Sequence, residues 1–239
     1  MIPKTIHYCW FGRGEMPELA QKCLASWHEY MPDWEYRLWN EDNFDVNSTS
    51  YTKEAYEARK YAFVSDYVRL WALENEGGVY LDTDVEMFKS LDDLLELGAF
   101  GGFEGSKHLP LCTCIMASEP NGIWVKEMLY AYQNRHFVKE DGLCDMTTNV
   151  QFITSIMQKN GFVQNGVEQD YKDLHVFPVD YFCPRQTTGE YFKTKNTYCD
   201  HLGMGSWSDN DGGWKLKLKK IIGSKNMTRL IKLKRKLFG

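Results

Sequence analysis

Hydrophobic and polar positions fall in blocks whose spacing changes along the chain. Residues 4–11 (KTIHYCWF) are rich in β-branched and aromatic side chains and predict a first, buried strand. Across 17–30, Leu19, Cys23, Leu24 and Trp27 recur at intervals of three and four, which predicts a helix broken by Pro32-Asp33. Residues 34–39 read as a second strand, so the chain opens as strand, helix, strand, the start of a parallel α/β sheet. A polar turn at 47–50 leads to a helical region over 52–76, where Tyr61, Val64, Val68, Trp71 and Ala72 form an apolar stripe. Gly77-Gly78 stops that helix, 79–81 is a short strand, and 85–88 resumes extended structure. Farther on, the pattern predicts strands at 100–103 and 111–117 and helices at 123–135 and 148–159. Short late strands follow at 174–177 and 197–201.

The most informative stretch is Gly77-Gly78-Val79-Tyr80-Leu81-Asp82-Thr83-Asp84. Two carboxylates emerge where a short apolar strand ends. On an extended strand Asp82 and Asp84 would share a face and could hold a cation between them; if the chain bends, one meets metal and the other a bound sugar. Adjacent acids repel, so such a place needs a cation or hydrogen-bond donors. Asp-x-Asp alone is weak: Asp209-Asn210-Asp211 repeats it in a polar run. Its twelfth position as a calcium loop is Lys220 rather than an acid, so it reads as a solvated turn.

Composition narrows the class. The 239 residues suit one large domain with an appendage, and 43% apolar content supports a substantial core. Eight Trp and fourteen Tyr exceed ordinary packing needs and suit a sugar or base site. Seven cysteines without a Cys-x-x-Cys pair read as reduced, mostly buried thiols, with Cys112 and Cys114 at alternating positions of a strand rather than in a zinc knuckle. No run approaches the roughly 18 apolar residues of a membrane span, and the first residues lack signal-peptide character, so a cytoplasmic location is expected. The net charge of −5 conceals ten Lys or Arg and no acid from Lys215 to Gly239, which sets a boundary near Gly212-Gly213. The expected organisation is a domain over 1–213 and a basic amphipathic tail over 214–239. That tail suits an anionic membrane surface or packing on protein, and the acidic body disfavours nucleic acid.

Other residues gain meaning from their places. Asp66 and Arg69, three apart on the helix that feeds the Asp82 strand, can pair across one turn or face a common cleft. Trp10 ends the first strand, where ligand crevices of α/β sheets open, and is otherwise a core tryptophan. His201 sits at a late strand end before a glycine-punctuated loop carrying Ser206 and Trp207. A neutral imidazole there can complete a divalent-metal site begun by carboxylates, and Ser206 can donate to phosphate. Glu104, between glycines, is either an acid on the acceptor side or a solvent-exposed loop acid.

Ile2-Pro3-Lys4-Thr5-Ile6-His7 with Trp10, Trp34-Glu35-Tyr36 with Trp39, residues 62–69, the 77–84 stretch and 201–207 occur in an order that resembles glycosyltransferase family 32. Its relatives include yeast-type mannosyltransferases, bacterial capsular enzymes and the glucosylating domains of large toxins. The resemblance covers about residues 1–210 and is strongest before residue 95. It implies a GT-A fold: an α/β nucleotide-diphospho-sugar transferase with a mixed, mostly parallel central sheet flanked by helices. It implies a divalent cation, Mn2+ or Mg2+, and retaining hexosyl transfer. The donor would be a nucleotide-sugar, UDP-galactose or UDP-glucose first and GDP-mannose next, and the acceptor a glycan or lipid-linked glycan of surface polysaccharide synthesis.

Carried over by position, Trp10 resembles the base-stacking residue, with Tyr8 and Phe11 beside it in the nucleotide site. Asp66 and Arg69 resemble the pair on donor-sugar hydroxyls. Asp82 resembles the acid near ribose, sugar and metal, Asp84 the direct metal ligand, and His201, or a neighbour in its loop, the late metal ligand. Ser206 and Trp207 resemble the pair on the β-phosphate. Asp82, Asp84, Asp66 and Arg69 form the expected catalytic set. Two other classes fit Asp-x-Asp: a metal-dependent phosphoesterase or nucleotidyltransferase, and a non-catalytic carbohydrate- or nucleotide-binding protein.

Overall fold

The computed structural model describes residues 1–105, 109–185 and 190–203. Three parallel strands come first in the sheet: β2 (Glu35–Trp39), β1 (Thr5–Cys9) and β3 (Gly78–Leu81), with β1 between the other two. Beyond β3 lie β6 (Ile115–Ser118), β5 (Ala99–Gly102), β8 (Leu174–Phe177) and β7 (Gln169–Tyr171), in that order. β6 runs antiparallel to both β3 and β5, β8 parallel to β5, and β7 antiparallel to β8. Five strands of this mixed α/β sheet therefore share one direction, and β6 and β7 oppose them. A separate antiparallel pair joins β4 (Val85–Met87) to β9 (Cys199–His201).

The sheet is covered on both faces, which is why β3 is buried at every position. Tyr80 faces one apolar cluster with Val64, Val68 and Met116; Val79 and Leu81 face the other, with Ile6 and Trp27. α1 (Glu18–Tyr30) anchors the strand beyond the two acids, because the Trp27 indole N–H donates to the Val85 carbonyl at 2.7 Å. α3 (Tyr61–Glu76) lies on β1 and β3 and delivers the chain into β3.

That delivery is a tight joint. Gly77 and Gly78 have φ of +67° and +105°, a region costly for residues with a Cβ. The buried His7 side chain spans the joint. The Trp39 indole N–H donates to its Nδ1 at 3.1 Å, so its Nε2–H donates to the Gly77 carbonyl at 2.8 Å. Burial pushes the His7 pKa down, consistent with a neutral ring in that tautomer.

Several elements differ from the sequence pattern. The helical region at 52–76 is two helices, α2 (Ser50–Glu57) and α3. α2 ends in a Schellman motif: Lys60 N–H donates to Ala55 O at 2.8 Å and Arg59 N–H to Tyr56 O at 2.9 Å. Arg59 takes the left-handed position, φ +58°, that glycine usually fills, so no glycine marks the break. α4 (Ile123–Tyr130) ends earlier than expected, while α5 (Asn149–Lys159) starts at a capping box between Thr148 and Gln151. The strand expected at 111–117 begins only at Ile115, so Cys112 and Cys114 precede it; Leu111 makes a single bridge to Phe103. A 3₁₀ turn (Asp92–Leu97), β7 and α6 (Val179–Phe182) are too short for periodicity to reveal. Among the described residues no helix is long and apolar enough to cross a membrane. The boundary near residue 213 and the basic tail lie outside the described residues.

Gly78→Ala tests the joint. A Cβ there would lie 2.6 Å from the Thr5 carbonyl oxygen at an unfavourable φ, so the variant should lose about 2–4 kcal/mol of stability in urea denaturation. An unchanged midpoint would show that the joint relaxes freely.

Candidate active site

The chain turns sharply at the end of β3. The Asp82 N–H is held by the Cys114 carbonyl at 2.8 Å, and Val85 N–H closes a turn onto the Asp82 carbonyl at 3.0 Å. The two acids are thus split between a strand end and a turn, the bent alternative rather than the extended one. β9 then pairs with β4, placing His201 opposite Val85, and Leu202 N–H donates to the Asp84 carbonyl at 3.0 Å. This pairing brings His201, 117 positions away, to Asp84: its Nε2 lies 3.4 Å from Asp84 Oδ1. One ligand atom from each of Asp82, Asp84 and His201 falls within 4.8 Å of the others.

Arg69 organises the other half of the site. Its side chain is only 5% exposed. Nη2 donates to Asp66 Oδ1 at 2.8 Å, Nη1 to the Thr113 carbonyl at 2.6 Å, and Nε to the Ser65 carbonyl at 3.2 Å. Nη1 also lies 3.3 Å from Asp82 Oδ1, and the guanidinium stacks over the Tyr80 ring at 4.5 Å. The Tyr80 hydroxyl donates to Asp82 Oδ1 at 2.9 Å. Both sequence readings of Asp66 and Arg69 therefore hold at once: they pair across one helical turn, and Arg69 also reaches the strand-end acid.

The electrostatics follow. Burial raises Asp66 to about 6 against the opposing pull of Arg69, so it is still ionised at neutral pH. Burial also raises Asp82, opposed by Arg69 and reinforced by Asp84. Burial alone would lower His201; the hydrogen bond and charge of Asp84, with Asp82 behind it, outweigh this and lift it to about 10. Without metal, a protonated His201 supplies the positive charge that the two acids require.

The remaining candidates scatter. Trp10 follows β1 half-exposed, its indole N–H donating to the Gly14 carbonyl at 2.6 Å. Tyr8 is half-buried edge-on to Trp27. Phe11 is buried and packs edge-on against Phe44, which makes it a core residue rather than an open stacking platform. Glu104 is half-buried, not the solvent-exposed loop acid considered above. Burial, with the neighbouring Cys112, pushes its carboxyl up to about 8. Ser206 and Trp207 lie outside the described residues.

Sequence reasoning missed Tyr80 and Thr113. Tyr80 had a signal, since two positions before Asp82 on a strand is the same face. Thr113 contributes a backbone carbonyl, for which residue identity carries none.

Three outcomes are expected. Arg69→Met strands Asp66 in the interior and removes the counter-charge of the half-buried Asp82, and should cost about 3 kcal/mol in chemical denaturation, as breaking a buried ion pair does. A cation held by His201 must displace its proton, so Mn2+ affinity should climb up to roughly tenfold per pH unit between pH 7 and 9. His201→Gln should flatten that slope in calorimetric titrations. Conversely, the His201–Asp84 pair contributes stability to the metal-free fold fully below pH 6.5 and loses it as pH rises through about 10.

Residues 17–100 match the family model described as the glycosyltransferase sugar-binding region containing the DXD motif. An uncharacterized glycosyltransferase of Acanthamoeba polyphaga mimivirus is 34% identical over 240 residues, covering 93% of this chain and 88% of that protein. Inositol phosphoceramide mannosyltransferase 3 of Schizosaccharomyces pombe is 36% identical over 106 residues, 41% of this chain but 29% of its own length, so the chain spans under a third of that relative. A galactosyltransferase solved with donor and acceptor sugar analogues superposes with a TM-score of 0.46 at 14% identity, over 95% of this chain and 94% of its own. With a near full-length relative at this identity and the DXD region inside the matched segment, the chain belongs to the glycosyltransferases of the DXD type, family 32.

Proposed function

We propose that this chain transfers a hexose from a nucleotide-diphosphate sugar to a hydroxyl of a glycan or lipid-linked acceptor. One observation carries the reading: a buried Arg69–Asp66–Asp82 network lies directly beside the Asp84–His201 pair, so a sugar-hydroxyl site and a diphosphate-metal site share Asp82. A phosphoesterase or nucleotidyltransferase has no need of the buried Asp66–Arg69 arm.

The donor set fits a divalent cation. Two carboxylate oxygens and one imidazole nitrogen converge, which suits Mn2+, and Mg2+ with more of its sites left to water. Asp84, His201 and Asp82 would hold it, and when bound it supplies charge stabilisation to a departing diphosphate. The chain's own residues do the rest. Asp66 and Asp82, fixed by Arg69, accept from donor-sugar hydroxyls and orient the anomeric carbon. Tyr80 holds Asp82 in place from below. Exposed beyond β1, Trp10 offers an indole face for the base. With retention, the acceptor hydroxyl enters on the leaving-group side and gives its proton to a phosphate oxygen. The basic 215–239 segment would hold the protein on an anionic cytoplasmic membrane face, where lipid-linked acceptors reside.

Mannosyl transfer, named in the fungal relatives, puts GDP-mannose beside UDP-galactose and UDP-glucose in the donor panel. Incubating each with Mn2+ and scoring nucleoside diphosphate release should single out one donor. On that donor Asp84→Asn should lower kcat/KM by about 10²–10³-fold, the scale of losing one electrostatic stabiliser of a transition state. Release of inorganic phosphate instead, or a variant as fast as the parent, would refute transfer through this site.

A further inference from the structure

Three thiols from two separate segments meet behind the acids. Cys112 and Cys114 precede β6, and Cys183 follows α6. Their sulfurs are 2.9 Å (Cys112–Cys114), 3.1 Å (Cys112–Cys183) and 3.8 Å (Cys114–Cys183) apart, and all three residues are buried. Each separation exceeds the roughly 2.05 Å of a disulfide. Around a tetrahedral ion with metal–sulfur bonds of about 2.3 Å, neighbouring sulfurs lie about 3.8 Å apart. Cys114–Cys183 already has that spacing, and the other two edges need to open by less than about 1 Å.

We propose that Cys112, Cys114 and Cys183 form a closed structural site for a thiophilic divalent cation of the zinc class, separate from the Asp82–Asp84–His201 site. The donor chemistry separates the two: sulfur ligands select soft or borderline ions, whereas the carboxylate pair favours harder ones. Glu104 neighbours Cys112 but stands outside the group of three sulfurs.

The site's consequence is mechanical. Between Cys112 and Cys114 lies Thr113, whose carbonyl accepts from Arg69, and the Cys114 carbonyl accepts from Asp82 N–H. An ion clamping both sulfurs fixes the two carbonyls that place the sugar-binding cation and the strand-end acid. The second clamp point, Cys183, ties that segment to the end of α6.

Reduced, full-length protein stripped of metal by a chelator is titrated with Cd2+, and with Zn2+ against a chromogenic competitor. One equivalent of Cd2+ should give ultraviolet sulfur-to-metal charge-transfer absorption that Zn2+ suppresses. Cys112→Ser and Cys183→Ser should each weaken this binding at least tenfold, while Asp84→Asn leaves it in place. If either serine variant fails to fold, ¹¹³Cd NMR of the unaltered protein decides. A strongly deshielded, sulfur-ligated resonance supports the site, and signals only in the oxygen and nitrogen range refute it. Absence of the band, a band untouched by both serine changes, or a Cys112–Cys183 disulfide in protein purified without reductant would likewise overturn it.

Discussion

A single buried guanidinium sets the geometry on which the site depends. Arg69 reaches from α3 to Asp66 on its own helix, to Asp82 at the end of β3, and to the Thr113 carbonyl before β6. Two carboxylates held in the interior would be expensive without it, since burial already raises both toward their neutral forms. With Arg69 in place they stay available as hydrogen-bond acceptors of fixed direction. Asp84, past the turn, is left facing His201. Asp82, reached by Arg69 and also close to Asp84 and His201, joins the two halves of the site.

Positioning Arg69 requires the rest of the fold. α3 must enter β3 through Gly77 and Gly78, where a Cβ would collide with Pro120 and with the Thr5 carbonyl of β1, respectively. His7 and Trp39 bridge that joint from β1 and β2, and Trp27 of α1 holds the strand beyond the acids. The β4–β9 pair then returns the chain from far along the sequence to lay His201 beside Asp84.

Much of this was legible in the residues. The opening strand-helix-strand unit, the apolar stripe of α3, its glycine stop and the two acids follow from periodicity and turn chemistry. His201 was expected to join the acids from its place at a late strand end and from the family likeness; the pairing of β4 with β9 that brings it to Asp84, 117 positions away, could not be read from local pattern. The Arg59 break between α2 and α3 was hidden, as an arginine in the left-handed position looks like any helical residue. Phe11, one position after Trp10, turns inward toward Phe44, a direction its place beside Trp10 did not reveal. The three-thiol cluster was invisible in the sequence: Cys183 lies some 70 residues from Cys112, and nothing local points from one to the other.

Pulsed electron paramagnetic resonance gives the most direct test of the central claim, that Asp82, Asp84 and His201 hold the cation that meets a nucleotide diphosphate. The sample is Mn2+-loaded protein with histidine labelled in ¹⁵N and nucleoside diphosphate added. One manganese species should show both a ³¹P coupling from the diphosphate and a ¹⁵N coupling that disappears in His201→Gln. Phosphorus coupling with no histidine nitrogen at the same ion would place the nucleotide-bound metal elsewhere and contradict the account.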